Sequence, residues 1–177
     1  MQNDRQKPLA EEDQYPIQLL PGMMAALIPR EISRAARSGG DLTILMLALN
    51  GLELVRSRYG SAESEKFVVE AAGLLQTVFR GCDALARYGE DHFILALPDT
   101  NLHQAERAVV RVLDAIDRWN GTPKLSYNMS VSFGMAPYVK GATLEDVIRF
   151  ATRQLNHNKS TAAHNSERLS RAAGAGT

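Results

Sequence analysis

The chain has 177 residues, of which 45% are hydrophobic and 23% charged, which is enough for one domain with a substantial core. Lysine plus arginine equals aspartate plus glutamate at 20 residues each, and this balance argues against a nonspecific nucleic-acid binder, which needs a basic surplus. The one cysteine, Cys82, cannot form an internal disulfide, and neither a membrane span nor a signal peptide is predicted, so we expect a cytoplasmic protein without membrane insertion.

Nine elements are predicted from the spacing of apolar residues, from caps and from glycine stops. In chain order they are a helix over 20–38, a strand over 42–49, helices over 51–58 and 62–79, the two strands of a hairpin within 80–97, a helix over 101–119, a strand over 129–136 and a helix over 143–158. Pro29 predicts a kink or a break in the first helix. Asn101 and Thr143 are predicted N-caps, and Asp146 completes a capping box with Thr143.

The order of these elements predicts one α/β domain. An antiparallel hairpin in the middle, with helices between the other strands, favours an α/β sandwich with a mixed sheet. The apolar run over 42–49 is short and continuous, which is typical of a buried central strand. We expect this single domain over residues 16–165, with a flexible N-terminal segment over 1–15 and a flexible tail over 166–177.

The hairpin is the most informative segment. It begins with Arg80 and Asp83 in an Arg-x-x-Asp pattern, turns at Gly89-Glu90 and returns in the apolar strand 93–97. In this register it resembles the signature hairpin of the GGDEF family, which makes cyclic di-GMP from two GTP molecules. Other segments at the family's offsets are Arg58-Tyr59-Gly60, Leu97-Pro98-Asp99-Thr100, Val131-Ser132-Phe133-Gly134 and 151–159. Together they imply the GGDEF, nucleotidyl-cyclase-like fold, a sandwich with a central, mostly antiparallel sheet of about five strands flanked by helices.

The signature itself departs from the family pattern. Gly89, Glu90, Asp91, His92 and Phe93 stand where Gly-Gly-Asp/Glu-Glu-Phe is expected. Glu90 places a side chain and a negative charge where a glycine lets the backbone approach a polyanionic substrate. The third position of the signature binds metal through a carboxylate in the family, and Asp91 keeps a carboxylate there. Asp91 and His92 are not expected to converge on a metal, because neighbours on a strand point to opposite faces.

Other substrate contacts that the resemblance implies are replaced. Making a phosphodiester from GTP needs divalent metal ions held by carboxylates, and the first metal-binding carboxylate of the family falls in the run 47–50, which offers only Ala48 and the neutral Asn50. The family's lysine falls at Glu53 and its guanine-reading asparagine at Arg56. We therefore predict that the chain is not an enzyme but a pseudo-diguanylate cyclase, with no catalytic residues and no metal site.

Two candidate nucleotide contacts are retained in the substrate site. Glu65 falls at a guanine-binding acid of the family and Lys159 at a phosphate-contacting lysine, although the basic partner of that lysine falls at Ala163. The family opening Leu-Thr-x-Leu-Pro-Asn-Arg is replaced by Ile17-Gln-Leu-Leu-Pro-Gly-Met23. No cofactor is expected, and Mg²⁺ would be needed only for residual cyclase activity.

The product site that the resemblance implies is complete. Arg80, Asp83 and Arg111 match the Arg-x-x-Asp motif and the further arginine that bind cyclic di-GMP in the family. An arginine fork bonds guanine O6 and N7 or phosphate oxygens, and a carboxylate accepts guanine N–H donors. Arg87 or Arg107 would add a phosphate contact, and the sequence does not select between them. The alternative is that Arg80 and Asp83 form a surface ion pair that contributes little to the stability of the fold.

These residues lead to a receptor hypothesis with two alternatives. We predict a catalytically inactive GGDEF-domain protein that acts as a cyclic di-GMP receptor through Arg80, Asp83 and Arg111. Its partners are cyclic di-GMP and a protein partner or a second copy of the chain, with no nucleic acid. The alternatives are a weakly active diguanylate cyclase and a protein-interaction scaffold that needs no nucleotide.

Overall fold

The computed structural model describes the backbone of residues 21–122 and 127–174, and side chains within 27–122 and 127–159. Five helices and four strands lie in these residues. They are α1 Pro21–Ser38, β1 Leu42–Leu49, α2 Leu52–Tyr59, α3 Ser61–Val78, β2 Ala84–Tyr88, β3 His92–Pro98, α4 Leu102–Asn120, β4 Val131–Pro137 and α5 Leu144–Gly174. The element order is the one that the sequence predicts.

The strands form one sheet in the order β2-β3-β1-β4. All three pairings are antiparallel, and Ile44 of β1 lies between Ala96 of β3 and Ala136 of β4. The predicted α/β sandwich with a mostly antiparallel sheet is confirmed. The sheet has four strands in the described residues, where about five were predicted.

The central strand β1 is buried on both faces, because every residue in it is buried. Side chains alternate between the two faces of a strand. Leu45, Leu47 and Leu49 therefore pack with residues of α2, α3 and α4 on one face. Ile44, Met46 and Ala48 pack with residues of α1 and α5 on the other face. The result is a three-layer domain with one core on each face of the sheet.

The first and last helices differ from the predictions. The helix α1 is continuous through Pro29, because Ile28 and Ala35 pack on the sheet on either side of the proline and hold the helix in place. The helix α5 runs well beyond the predicted end at residue 158, since neither glycine nor proline interrupts the chain before Gly174. Residues 166–174, predicted to be a flexible tail, are thus helical. The predicted segment 1–15 and the start of the opening motif lie outside the described residues.

The predicted helix caps are confirmed. The Thr143 hydroxyl accepts a hydrogen bond from the backbone N–H of Asp146, and the Asp146 carboxylate accepts from the backbone N–H and hydroxyl of Thr143. These bonds lower the pKa of Asp146. At the start of α4, Asn101 and Gln104 form a second reciprocal cap. This cap fixes the N-terminal turn of α4 near the end of β3.

The helix α5 lies unusually close to the sheet at Gly134 of β4. A Cβ atom at Gly134 would overlap the carbonyl oxygen of Ala151 and the amide nitrogen of Leu155. Glycine thus permits the backbone of α5 to touch β4 directly. Within the described residues, no helix combines the length and the apolar character that crossing a membrane requires.

Candidate functional site

The segment between α3 and β2 is folded into a tight turn by the two ends of the Arg-x-x-Asp pattern. The Asp83 carboxylate accepts a hydrogen bond of 2.8 Å from the backbone N–H of Arg80, and the Arg80 carbonyl accepts one of 3.0 Å from the N–H of Asp83. The carboxylate therefore binds the main chain of Arg80 and leaves its guanidinium unbound. In the described part of the chain, Arg80 has no ion-pair partner, so the simple Arg80–Asp83 surface pair is not formed.

The helix α4 presents three residues to this turn. Gln104, Ala108 and Arg111 follow at spacings of four and three residues, which places them on one side of the helix. The Arg111 side chain is exposed and, among the described residues, has no ion-pair partner. The side chain of Gln104 is held by the backbone of Asn101 through the cap. The helix α4 therefore positions Arg111 beside the turn at Arg80 and Asp83.

A single shallow pocket brings the three predicted ligand-binding residues together. Its lining consists of Arg80, Asp83, Leu97, Thr100, Gln104, Ala108 and Arg111. Two guanidinium groups and one carboxylate thus surround a small apolar floor made by Leu97 and Ala108. This combination can bind a ligand that carries both an anionic group and a flat ring with N–H donors. That these residues bind cyclic di-GMP remains a prediction.

Four lining residues were not predicted from the sequence. Leu97 and Thr100 come from the end of β3 and the loop after it, while Gln104 and Ala108 come from α4. The spacing of Gln104, Ala108 and Arg111 is the signal that would have identified the two α4 residues. Leu97 and Thr100 carry no such signal, because their position depends on how β3 pairs with β2.

The signature segment lies at the opposite end of β2, in the turn between β2 and β3. Gly89 has a φ of 78°, a left-handed conformation that suits glycine. Phe93 is a core residue with 1% of its surface exposed. The Arg87 guanidinium donates to the carbonyls of Gly89 and Glu90 at 3.1 and 2.9 Å and to the Glu65 carboxylate at 2.6 Å. One side chain therefore fixes the turn against α3.

The Arg87 contacts involve two residues that the sequence analysis named as candidate ligand contacts, Glu65 and Arg87 itself. The Glu65 carboxylate, a candidate nucleotide contact, is bound by Arg87. Arg87 lies at the signature turn, so of the two proposed additional phosphate contacts only Arg107 lies on the same helix as Arg111. The other candidate nucleotide contact, Lys159, lies on α5, which covers the sheet face opposite to α3. The structure therefore does not place Glu65 and Lys159 in the same layer.

Glu90 of the turn forms an ion pair with Arg56 of α2. The two side chains are 3.0 Å apart, and Arg56 also lies 3.3 Å from Glu53. The negative charge of Glu90, expected to repel a polyanion, is thus partly neutralised by an arginine. Both residues depart from the family pattern, and the structure brings them together.

Asp91 and His92 were not expected to bind a metal together, and the reason given, that their side chains point to opposite faces, is wrong. The Asp91 carboxylate lies 2.6 Å from Nδ1 of His92. The alternation of strand side chains does not apply here, because Asp91 belongs to the turn and β3 begins at His92. Within the described residues, no group of three or more histidine, cysteine, aspartate and glutamate side chains has a metal-binding arrangement.

The end of β1 beside this turn is lined by neutral residues. Ala48 is fully buried, and Asn50 exchanges hydrogen bonds with the hydroxyl of Ser132 and donates to that of Ser130. The backbone of β1 is hydrogen-bonded to the signature turn, because the N–H of Leu49 donates to the carbonyl of Asp91 at 2.7 Å. These bonds tie β1, β4 and the turn together at one end of the sheet.

Comparison with known proteins identifies a single family over most of the chain. Residues 23–165 match the family described as "Diguanylate cyclase, GGDEF domain". The diguanylate cyclase DgcP of Pseudomonas aeruginosa is 29% identical over 118 residues, which are 66% of this chain and 17% of that protein. The chain therefore spans less than a fifth of the length of this relative.

Solved structures with this fold include two complexes, one of a diguanylate cyclase with its activator and one of a GGDEF domain with c-di-GMP. SiaD with its activator SiaC from Pseudomonas aeruginosa aligns with a TM-score of 0.71 and 23% identity, over 79% of this chain and 54% of that chain. The GGDEF domain of DgcB from Caulobacter crescentus in complex with c-di-GMP aligns with a TM-score of 0.70 and 16% identity, over 76% of this chain and 81% of that chain. At these sequence identities the two structures show only the fold, and this chain has that fold.

The comparisons contradict the prediction that the chain is not an enzyme. The curated relatives are named diguanylate cyclases or probable diguanylate cyclases, and the fold is that of the cyclase domain. Nothing in these comparisons shows that active-site residues are lost. The substitutions at Ala48 and Glu90 therefore do not suffice to classify the chain as a pseudoenzyme.

Proposed function

The chain belongs to the GGDEF domain family, and we propose that it binds cyclic di-GMP in the pocket formed by Arg80, Asp83 and Arg111. The observation that carries this proposal is that two arginines without ion-pair partners in the described residues line one pocket with a carboxylate. Guanidinium groups left without partners at a folded surface are available to an anionic ligand without breaking an existing pair.

The chemistry of the ligand matches the three side chains. Cyclic di-GMP carries two guanines and two phosphates. The guanidinium of Arg80 or Arg111 can bond guanine O6 and N7 or phosphate oxygens. Oδ2 of Asp83 already accepts from the main chain of Arg80, and Oδ1 has a long contact of 4.0 Å with the Cys82 thiol. A carboxylate oxygen has two lone pairs, so Oδ1 can still accept from guanine N–H donors. Leu97 and Ala108 also line the pocket and would give a bound ring an apolar contact.

Calorimetric titration with cyclic di-GMP tests this site. We expect micromolar or tighter binding by the wild-type chain and at least about fivefold weaker binding by Arg80→Ala, because a bidentate arginine–guanine contact contributes about 1–3 kcal/mol. The matched control is Arg153→Ala, which removes an exposed arginine of α5 and the same charge. Equal affinities of Arg80→Ala and the wild type would refute the site.

Synthesis of cyclic di-GMP is a second candidate function, favoured by the names of the curated relatives. Asp91 is the carboxylate of the signature turn and would hold Mg²⁺ in this reaction. If the chain is a cyclase, incubation with GTP and Mg²⁺ or Mn²⁺ yields cyclic di-GMP, and Asp91→Ala removes the product. Absence of product from the wild-type chain, measured by chromatography, would eliminate this candidate without affecting the binding proposal.

A further inference from the structure

Gln104 belongs both to the N-terminal cap of α4 and to the lining of the proposed ligand pocket. The backbone N–H of Asn101 donates to Oε1 of Gln104 at 2.9 Å. A backbone N–H is only a donor, so the side-chain atom that it meets must be the amide oxygen. The cap therefore fixes which end of the Gln104 amide is the oxygen and which end is the amino group.

The amino group of Gln104 takes no part in this cap. In the described part of the chain, no hydrogen bond joins Nε2 of Gln104 to another residue. The amino group of a glutamine side chain carries two N–H donors and no acceptor. Because the oxygen is engaged by the cap, the polar group that Gln104 can offer to a ligand in the pocket is a pair of donors.

Ala108 lies between Gln104 and Arg111 on the pocket side of α4. It is 5% exposed and, with Leu97, gives the pocket its apolar part. An apolar contact suits the face of a ring, whereas a phosphate placed there would lose hydration without a partner. Gln104 and Arg111 are about 10 Å apart along the helix, since each residue adds about 1.5 Å. A ring that lies on Ala108 therefore has hydrogen-bond donors on both sides.

We propose that Gln104 is a specificity-determining residue of this pocket, whose amino group donates to O6 of a guanine in bound cyclic di-GMP; this inference rests on the proposed function. A glutamine recognises adenine through both ends of its amide, with the oxygen accepting from N6 and the amino group donating to N7. At Gln104 the oxygen already accepts from Asn101. The remaining donors match the O6 acceptor of guanine and oppose the N6 amino group of adenine.

Two variants separate the ligand contact from the cap. Gln104→Glu keeps an acceptor for the N–H of Asn101, as glutamate does in capping boxes, but removes both donors. Gln104→Met removes the acceptor and the donors without adding a charge. Because one hydrogen bond is lost in each case, both variants are expected to bind cyclic di-GMP at least about fivefold more weakly than the wild type in calorimetric titration. If Gln104 acted only through the cap, Gln104→Glu would bind like the wild type, which would overturn the proposal.

Competition between cyclic di-GMP and cyclic di-AMP tests the contact with the base. The negative charge in Gln104→Glu repels the phosphates of both nucleotides alike, so the ratio of the two dissociation constants reports the base alone. A carboxylate accepts from the amino group of adenine and cannot donate to O6 of guanine. The preference for cyclic di-GMP is therefore expected to fall at least about tenfold in Gln104→Glu. An equal loss of affinity for both nucleotides would show that Gln104 meets a phosphate and would overturn the proposed contact.

The matched control is Gln154→Glu, which makes the same change at an exposed glutamine of α5 outside the pocket. Its affinity and its preference between the two nucleotides are expected to equal those of the wild type, and thermal unfolding of each variant checks the fold. A wild type that binds no cyclic di-GMP would refute the proposed function, and the Gln104 contact with it. If the wild type binds and Arg80→Ala weakens binding, but both Gln104 variants bind like the wild type, only the Gln104 contact is refuted.

Discussion

Replacing Gly134 by alanine is expected to destabilise the domain by about 3 kcal/mol or more, beyond the usual cost of overpacking a core. The added methyl group would overlap the carbonyl oxygen of Ala151 and the amide nitrogen of Leu155. Both are backbone atoms inside α5, so no side-chain rotation can relieve the overlap. The helix must instead move away from β4 and uncover Ala151 and Leu155, which are fully buried. Urea denaturation followed by circular dichroism measures the decrease in the free energy of unfolding.

A second glycine provides the matched control for this experiment. At Gly121 the added methyl group would meet the carbonyl oxygens of Asp117 and Arg118 at 3.5 Å, an ordinary contact distance. Gly121→Ala is therefore expected to change the free energy of unfolding by less than about 0.5 kcal/mol. If Gly134→Ala and Gly121→Ala have equal unfolding midpoints, the close approach of α5 to β4 is not a feature of the folded protein.

Replacing Arg87 by methionine is expected to cost about 2 kcal/mol of stability. The Arg87 side chain is 19% exposed, and its guanidinium binds the Glu65 carboxylate together with the carbonyls of Gly89 and Glu90. Hydrogen bonds to charged groups contribute about 1.5–3 kcal/mol each when they are buried. The total is reduced here because Glu65 is 39% exposed and solvent screens the pair. Because methionine retains the apolar part of the side chain, the decrease in stability measures the contribution of the guanidinium contacts.

Arg56→Met serves as the comparison for Arg87→Met. Arg56 also pairs with the signature turn, through Glu90, but its partners Glu53 and Glu90 are 81% and 74% exposed. Exposed ion pairs contribute little, so this change is expected to cost less than about 1 kcal/mol. Equal free energies of unfolding for the two variants, measured in urea, would contradict the assignment of Arg87 as the residue that fixes the turn.

The local sequence pattern was sufficient to predict the elements, and the family resemblance predicted three of the residues that line the pocket. The continuous apolar run over 42–49 predicted a buried strand because such a run can be covered on both faces. The resemblance placed Arg80, Asp83 and Arg111 in one site, and the structure brings them together because the turn and α4 both adjoin the end of β3. The caps at Asn101 and Thr143 were predictable since they involve residues only three positions apart.

Pairs between distant residues could not be predicted. Arg56 and Glu90 are separated by 34 positions, and Arg87 and Glu65 by 22. Each pair depends on how α2 or α3 packs against the hairpin, which no local periodicity determines. The contact of Asp91 with His92 was missed for a different reason, because the strand was assumed to include the turn residue. Such errors concentrate where an element ends.

The tight turn at Arg80 and Asp83 has a kinetic consequence for any ligand of the pocket. Its shape is set by two hydrogen bonds that exist before a ligand arrives. The ordering of this loop is therefore completed during folding and does not diminish the binding energy. Encounter should then proceed without a slow rearrangement, so that differences in affinity among related nucleotides would appear mainly in how long each one stays bound.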